Sequence, residues 1–85
     1  MVIVKSPRFK KEFDALPEQI KERARKQFAL FLQNPRHRSL RIKKMEGWHD
    51  IWEGRITGDY RFTFTQEGDT YHLRRIGKHD ILRNP

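Results

Sequence analysis

The second half of the chain concentrates side chains that could bind and cleave a phosphodiester. Glu53 and Arg55 lie in one strand-like run, Arg61 lies in the next, and His79 follows a third. Arginine suits phosphate because its planar guanidinium makes paired, charge-assisted hydrogen bonds. A free histidine titrates near neutral pH, where it can accept or donate a proton. These residue types point to acid–base chemistry on a nucleic acid.

Cleavage of RNA without a metal requires three contributions. A base removes the proton of the ribose 2′-OH, cations stabilise the charge of the phosphorane, and an acid protonates the departing 5′-oxygen. Glu53 or His79 could transfer the protons, and Arg55 and Arg61 could stabilise the charge. Since DNA lacks the 2′-OH, this chemistry would select RNA. A second interpretation of His79, as an exposed histidine paired with Asp80, remains open.

The residues of this candidate site must be positioned by three predicted strands, 51–57, 60–66 and 70–76. A three-residue turn, 57–59, keeps apolar side chains on one face of the first hairpin, whereas a two-residue turn would mix the faces. The second hairpin is predicted to turn at Glu67-Gly68. That turn places Arg61 and Thr63 beside His72 and Arg74. The predicted polar face therefore carries Glu53, Arg55, Arg61, Thr63, His72 and Arg74.

The opposite face of these strands is apolar and must be covered. It carries Trp52, Ile56, Tyr60, Phe62, Phe64, Tyr71 and Leu73. Two helices are predicted upstream, one opening at Ser6-Pro7 and one running from Pro17 to Asn34. A β-branched run at 2–4 predicts a strand before them. The sequence thus predicts a single α+β domain over residues 1–85, with the N-terminal strand and a two-helix hairpin packed on a mostly antiparallel, twisted sheet of about four strands.

A basic connector, 36–44, links the helices to the strands. Arg41, Lys43 and Lys44 are its candidate contacts to RNA, although charge runs in loops are usually just solvated. Because Leu40 and Ile42 alternate with the charges, part of the connector is expected to form an edge strand. His49 and Arg74 complete the candidate binding residues. His37 and His49 are otherwise expected at the surface, and His72 as a bystander.

The composition excludes several classes of protein. The 85 residues carry 19 Lys and Arg against 11 Asp and Glu, for a net charge of +8, which favours a polyanionic partner. With no cysteine, disulfides and thiolate metal sites are excluded. No HxxH or HxxxH pair occurs, so we expect no metal site and no cofactor. No membrane span or signal segment is predicted, and we expect a cytoplasmic protein.

Three segments together resemble the RelE/ParE superfamily of toxins from bacterial type II toxin–antitoxin pairs. They are Ile51-Trp52-Glu53-Gly54-Arg55-Ile56, Asp59-Tyr60-Arg61-Phe62-Thr63-Phe64 and Gly77-Lys78-His79-Asp80-Ile81-Leu82. With the helical pair, the resemblance covers nearly the whole chain and looks most like the YafQ and YoeB branches. Those branches are mRNA interferases, which cut messenger RNA in the ribosomal A site and are silenced by an antitoxin.

This resemblance implies roles for individual residues. Arg61 matches the strand arginine that contacts the scissile phosphate, and His79 matches the C-terminal general acid or base. Glu53 and Arg55 match further acid–base or phosphate-binding groups more loosely. Lys43 and Lys44 would face ribosomal RNA. His49 and Asp50 correspond only approximately to additional catalytic residues of YafQ-like members, and Leu82 replaces an aromatic residue that closes the site in some relatives.

The resemblance also implies partners and alternatives. The expected partners are a cognate acidic antitoxin, which alone would bring the protein to DNA, together with messenger RNA and ribosomal RNA. No membrane partner is expected. The ParE branch has the same fold but inhibits DNA gyrase and lacks the catalytic residues. A plain RNA-binding module is the third possibility.

Overall fold

The computed structural model of the protein describes residues 2–85, in which five strands form one mixed sheet. The strands are β1 (Val2–Lys5), β2 (Lys43–Lys44), β3 (Trp52–Arg55), β4 (Tyr60–Glu67) and β5 (Thr70–Lys78). Their order is β1-β5-β4-β3-β2, with β1 parallel to β5 and the other neighbours antiparallel. The α+β prediction is confirmed. The sheet exceeds the expected four strands because Lys43–Lys44 adds a short edge strand to β3.

Two helices, α1 (Pro7–Asp14) and α2 (Glu18–Gln33), lie between β1 and β2. The Ser6 hydroxyl accepts a hydrogen bond from the Phe9 amide, and proline follows at the first helical position, as the sequence predicts for a helix start. Pro17 precedes α2, and Asn34 follows its last residue. The edge strand predicted within the connector 36–44 is β2, at the edge of the sheet, while Leu40 lies in a short 3₁₀ helix, Arg38–Leu40, where it is fully buried.

An aromatic cluster joins α2 to the sheet. The Phe31 ring lies 4.3 Å from Tyr71, 5.1 Å from Phe64 and 5.6 Å from Phe62, measured between centroids. Phe28 contacts Phe62 edge to face at 5.0 Å. Such pairs add to the free energy of burying their area, so a few large side chains supply most of the core.

Gly54 is required where Phe62 crosses the neighbouring strand. A Cβ atom at this position would clash with the ring of Phe62. Glycine thus lets the phenylalanine ring lie directly over β3, which explains a residue that otherwise weakens strands.

The first hairpin has the predicted register. Trp52 pairs with Phe64 and Arg55 with Arg61, and the Ile56 amide donates to the Tyr60 carbonyl. The turn therefore consists of residues 57–59, and the prediction of a three-residue turn is confirmed. Glu53, Arg55, Arg61 and Thr63 follow the alternation of one face.

The second hairpin differs from the prediction. Glu67 pairs with Thr70, so the turn lies at Gly68-Asp69, and the register shifts between Thr63 and Phe64. Thr63 pairs with Arg75, Arg61 with Gly77, and Thr65 with His72. The predicted placement of Arg61 and Thr63 beside His72 and Arg74 is wrong. The reason is a β-bulge, which inserts an extra residue at Arg74 and reverses the alternation beyond it.

The C-terminal segment covers part of the face opposite the helices. A 3₁₀ helix, His79–Arg83, follows β5, and Ile81 is 4% exposed. A Cβ at Gly77 would lie 2.8 Å from Cγ2 of Ile81, so this glycine allows the segment to pack closely on the strand. The Thr63 hydroxyl donates to the Pro85 carbonyl and is completely buried. Thus the predicted polar face is not simply open to solvent.

Within residues 2–85, neither helix has both the length and the apolar character needed to cross a membrane.

Candidate functional site

A cleft of about 460 Å³ opens at the end of the sheet where β3 and β4 are joined. Four cationic side chains, one carboxylate and one imidazole contribute to its wall. The cleft therefore has the sign of charge that attracts a phosphate, together with two groups that can exchange a proton. We call it the first cleft; it is lined by Arg41, Ile42, Lys43, Glu53, Arg55, Arg61 and His79.

The hairpin of β3 and β4 places the central arginines. Arg55 and Arg61 are directly paired across the two strands, so their side chains project from neighbouring positions on the same face. Two residues before Arg55 on the same strand, Glu53 projects to that face as well. The predicted juxtaposition of these three residues is what the structure shows.

Arg61 is anchored by the turn that precedes it. Its Nη1 donates to the carbonyls of Thr57 and Gly58, both at 2.8 Å, and to that of Tyr60 at 3.3 Å. The residue is only 7% exposed. All its hydrogen bonds within residues 2–85 use Nη1, so Nε and Nη2 remain for a ligand. The turn carbonyls thus fix the orientation of the guanidinium without occupying it fully.

The surroundings of Arg61 disfavour the charged form of its guanidinium. Burial lowers the pKa of its guanidinium, and the positive charge of Arg55 lowers it further, while Glu53 and Asp59 oppose the shift. Arginine nevertheless remains protonated at neutral pH. Two neighbouring cations with incomplete solvation form an arrangement that an anion would stabilise.

Arg55 is fixed from the other layer of the fold. Nε2 of Gln27, on α2, donates to the Arg55 carbonyl at 3.0 Å and to the Ser39 carbonyl at 3.5 Å. One buried amide therefore ties β3 to the 3₁₀ helix that precedes Arg41. Among residues 2–85, Nε of Arg55 is buried without a hydrogen-bond partner. Gln27 was not among the predicted site residues, although its spacing from Ala24 and Phe31 places a polar residue in an apolar stripe.

Glu53 is the carboxylate of the cleft. It is 9% exposed and lies between Lys43 of β2 and Thr63 of β4 in the register of the sheet. Arg55 follows it by two positions, so cations lie on two sides. A buried carboxylate beside cations and an open cavity can accept a proton or orient a hydroxyl group.

His79 enters the same cleft from the C-terminal segment. It directly follows β5, where Gly77 pairs with Arg61, so the chain turns close to the anchored arginine. The imidazole is exposed and lines the first cleft. No ion pair joins His79 to Asp80 within residues 2–85, while the exposure of the imidazole agrees with the alternative interpretation as well.

Arg41 and Lys43 close the cleft on the side of the basic connector. Arg41 has a left-handed backbone, with φ of 45°, at the end of the 3₁₀ helix that precedes it. Such a conformation costs about 1 kcal/mol or more for a residue with a Cβ. It turns the chain so that the exposed Arg41 and Lys43 both line the first cleft.

Three of the predicted binding residues lie outside this cleft. Lys44 and His49 both contact Asp50, at 3.7 and 2.9 Å, and His49 is 96% exposed. Arg74 lines a second cleft nearer the bulge. The structure thus separates the predicted set into a group that converges and a group that does not. Residues 2–85 also contain no group of three or more His, Cys, Asp or Glu side chains that could share a metal ion.

Comparison with known proteins places the fold. No family model and no curated protein match the sequence. A structure of YafQ from Escherichia coli BL21(DE3) matches with a TM-score of 0.76 and 15% identity, over 94% of each chain. A YoeB/ParE toxin from Agrobacterium tumefaciens matches with a TM-score of 0.76 and 15% identity, over 93% of this chain and 99% of that one.

A RelB–RelE antitoxin–toxin complex from Methanococcus jannaschii matches as well. Its TM-score is 0.72 at 24% identity, over 95% of each chain. The chain therefore has the fold of RelE/ParE-type toxins, and the resemblance inferred from its three sequence segments is confirmed at the level of the fold. At sequence identities this low, the comparisons establish the fold alone.

Proposed function

We propose that the protein is the toxin of a type II toxin–antitoxin pair and acts as a metal-independent endoribonuclease on ribosome-bound messenger RNA. The observation that carries the proposal is the convergence of Glu53, Arg55, Arg61 and His79 on one cationic cleft. A protein that only bound RNA would need the arginines but not a carboxylate and an imidazole beside them. The fold shared with YafQ and RelE structures agrees with this assignment.

Each group has a definite task in the proposed reaction. Arg61, oriented by the turn carbonyls, presents Nε and Nη2 to a non-bridging oxygen of the scissile phosphate, and Arg55 contributes a second charge. Glu53 and His79 exchange the protons. One removes the proton of the 2′-OH, which then attacks phosphorus, and the other protonates the 5′-oxygen as the P–O5′ bond breaks. The products are a 2′,3′-cyclic phosphate and a free 5′-hydroxyl.

The remaining cations would hold the substrate rather than react. Arg41 and Lys43 border the first cleft, and Lys44 lies next to Lys43 on the same edge strand. An edge of this charge would bind the phosphates of messenger or ribosomal RNA without reading sequence. Such binding should weaken as salt is raised.

An acidic antitoxin is the protein partner that we propose. The net charge of +8 favours an acidic chain, and the matching structures include the RelB–RelE and DinJ–YafQ toxin–antitoxin complexes. Electrostatic attraction would speed the association of the two proteins, and an antitoxin segment that occupied the first cleft would block its nuclease activity. Contact with DNA would then occur only through the antitoxin.

The test is cleavage of messenger RNA on translating ribosomes, mapped by primer extension. We expect A-site cuts from the wild-type protein and a loss of about 100-fold or more in rate for His79→Ala and for Arg61→Ala. His72→Ala is the matched control, since it removes a histidine outside the first cleft and should cut normally. Intact messenger combined with inhibited gyrase supercoiling would instead support a ParE-like inhibitor, and intact messenger with RNA binding alone a plain binding module.

A further inference from the structure

A second cleft lies where β5 meets the start of α1 and the end of the C-terminal segment. Its volume is about 300 Å³, and its wall combines an exposed tryptophan with arginines. None of its residues belongs to the first cleft, so it is a separate feature of the surface. It is lined by Ser6, Arg8, Trp48, Arg74, Arg75, Asn84 and Pro85.

The two clefts lie at the ends of one row of the sheet, whose middle residue, Thr63, is buried beneath the C-terminal segment. Glu53 lines the first cleft and pairs with Thr63, which pairs in turn with Arg75 in the wall of the second. Neighbouring strands are spaced by about 4.8 Å, so the backbones of Glu53 and Arg75 are separated by about 10 Å. A short stretch of single-stranded RNA, crossing over the C-terminal segment, can span that distance.

The cations of the second cleft are not equally available. Arg75 is paired with Glu12, at 2.6 Å, and also donates to the Asn84 carbonyl. Arg74 uses only Nε, which donates to the Pro85 carbonyl, among the contacts within residues 2–85. Arg8 is exposed and makes no hydrogen bond or ion pair within the same range. Arg8 and both terminal nitrogens of Arg74 are therefore available to a phosphate.

Trp48 supplies the apolar surface of this cleft. It is 40% exposed and lies in the loop between β2 and β3, outside the aromatic core. An exposed indole beside two available guanidinium groups matches a nucleotide, whose base stacks on an aromatic ring while its phosphate pairs with arginine. An acidic peptide would use the arginines but would gain little from the indole.

We infer that the second cleft is a subsite for single-stranded RNA, in which Trp48 stacks one base and Arg8 and Arg74 bind the adjacent phosphate. The subsite holds a nucleotide that flanks the one in the first cleft, and in that respect the inference rests on the proposed function. Its contribution is to substrate binding and not to proton transfer.

Direct binding tests the inference without requiring cleavage. The probe is a short 2′-O-methyl oligoribonucleotide, which lacks the nucleophilic hydroxyl, added to the Trp52→Phe protein so that Trp48 is the only tryptophan. We expect the oligonucleotide to quench Trp48 fluorescence. Measured by anisotropy of a labelled oligonucleotide, Trp48→Ala should weaken binding by about 5-fold to 100-fold, and Trp48→Phe by less, because the phenyl ring still stacks.

Salt dependence tests the two arginines. Arg8→Gln and Arg74→Gln should each reduce the slope of log affinity against log salt by about 0.7, the value for one phosphate contact to a single strand. Arg23→Gln, which removes the same charge from the exposed side of α2, should leave the slope unchanged. Unquenched Trp48 fluorescence, or equal slopes in all three variants, would overturn the subsite.

Cleavage on ribosomes separates this inference from the proposed function. If both hold, Trp48→Ala raises KM and leaves kcat near the wild-type value, whereas His79→Ala lowers kcat. Cleavage by the wild-type protein with an unchanged KM in Trp48→Ala would remove the subsite and leave the nuclease. Quenching of Trp48 by the oligonucleotide without any cleavage would remove the nuclease and leave the subsite.

Discussion

The two faces of the sheet are held together by different forces. On the face covered by the helices, Phe31 packs among Phe62, Phe64 and Tyr71, and the contacts are apolar and buried. On the other face, charged side chains are fixed one at a time, as Arg61 is by the carbonyls of Thr57, Gly58 and Tyr60. The covered face therefore supplies stability through its total area, and the other supplies geometry through individual polar contacts.

The largest effect on stability should come from the covered face. Phe62 is fully buried beneath Phe28 and Phe31, and Phe62→Ala should lower the free energy of unfolding by about 3–5 kcal/mol. Urea denaturation measures this loss. Trp48→Ala, in the exposed loop between β2 and β3, is the control and should change stability by less than about 0.5 kcal/mol. If both variants lose a similar free energy of unfolding, the covered face is not the main source of stability.

An intermediate effect is expected where the two layers meet at the bulge. Glu12 of α1 accepts hydrogen bonds from Nε and Nη2 of Arg75, and both side chains are largely buried. Glu12→Gln removes the charge and should cost about 1–3 kcal/mol, because Arg75 remains buried without its counterion. Thermal and urea unfolding provide the measurement.

The exposed pair of Glu18 and Lys21 is the control for that change. These groups lie 3.5 Å apart, and the Glu18 side chain is 80% exposed. Glu18→Gln should cost less than about 0.5 kcal/mol, because solvent screens such pairs. If Glu12→Gln costs no more than this, the ion pair does not tie the helix to β5.

The covered face was the easier one to predict from the sequence. Strand alternation and the stripe in α2 identified the aromatic residues, since burial penalises every alternative register. The three-residue turn followed from the same argument. The convergence of Glu53, Arg55 and Arg61 followed as well, because no bulge interrupts the alternation of side chains in this short hairpin.

The other face was predictable only as far as the bulge. A bulge reverses the alternation, and no local pattern around Arg74 distinguishes it from a regular strand. The contacts of Arg61 with its turn, and of Gln27 with two carbonyls, depend on how segments meet in three dimensions. His79 was predicted from the sequence as a proton-transfer group, but its place in the first cleft depends on how Ile81 packs over Gly77.

The smallest expected effect is on the stability of the fold at high pH. Burial on the covered face raises the pKa of Tyr71 above the ordinary value of 10.0, and the negative charge of Asp69 adds to the shift. The folded state therefore retains the phenolic proton more tightly than the unfolded chain does. This stabilisation is fully present below the unfolded pKa and is lost as pH rises through the folded pKa.

Tyr71→Phe should therefore flatten the decline of the urea midpoint above about pH 10. Tyr60→Phe, which removes a phenol from a more exposed position, is the control. If the urea midpoint falls equally steeply with pH in the wild type and in Tyr71→Phe, ionisation of Tyr71 does not contribute to the loss of stability at high pH.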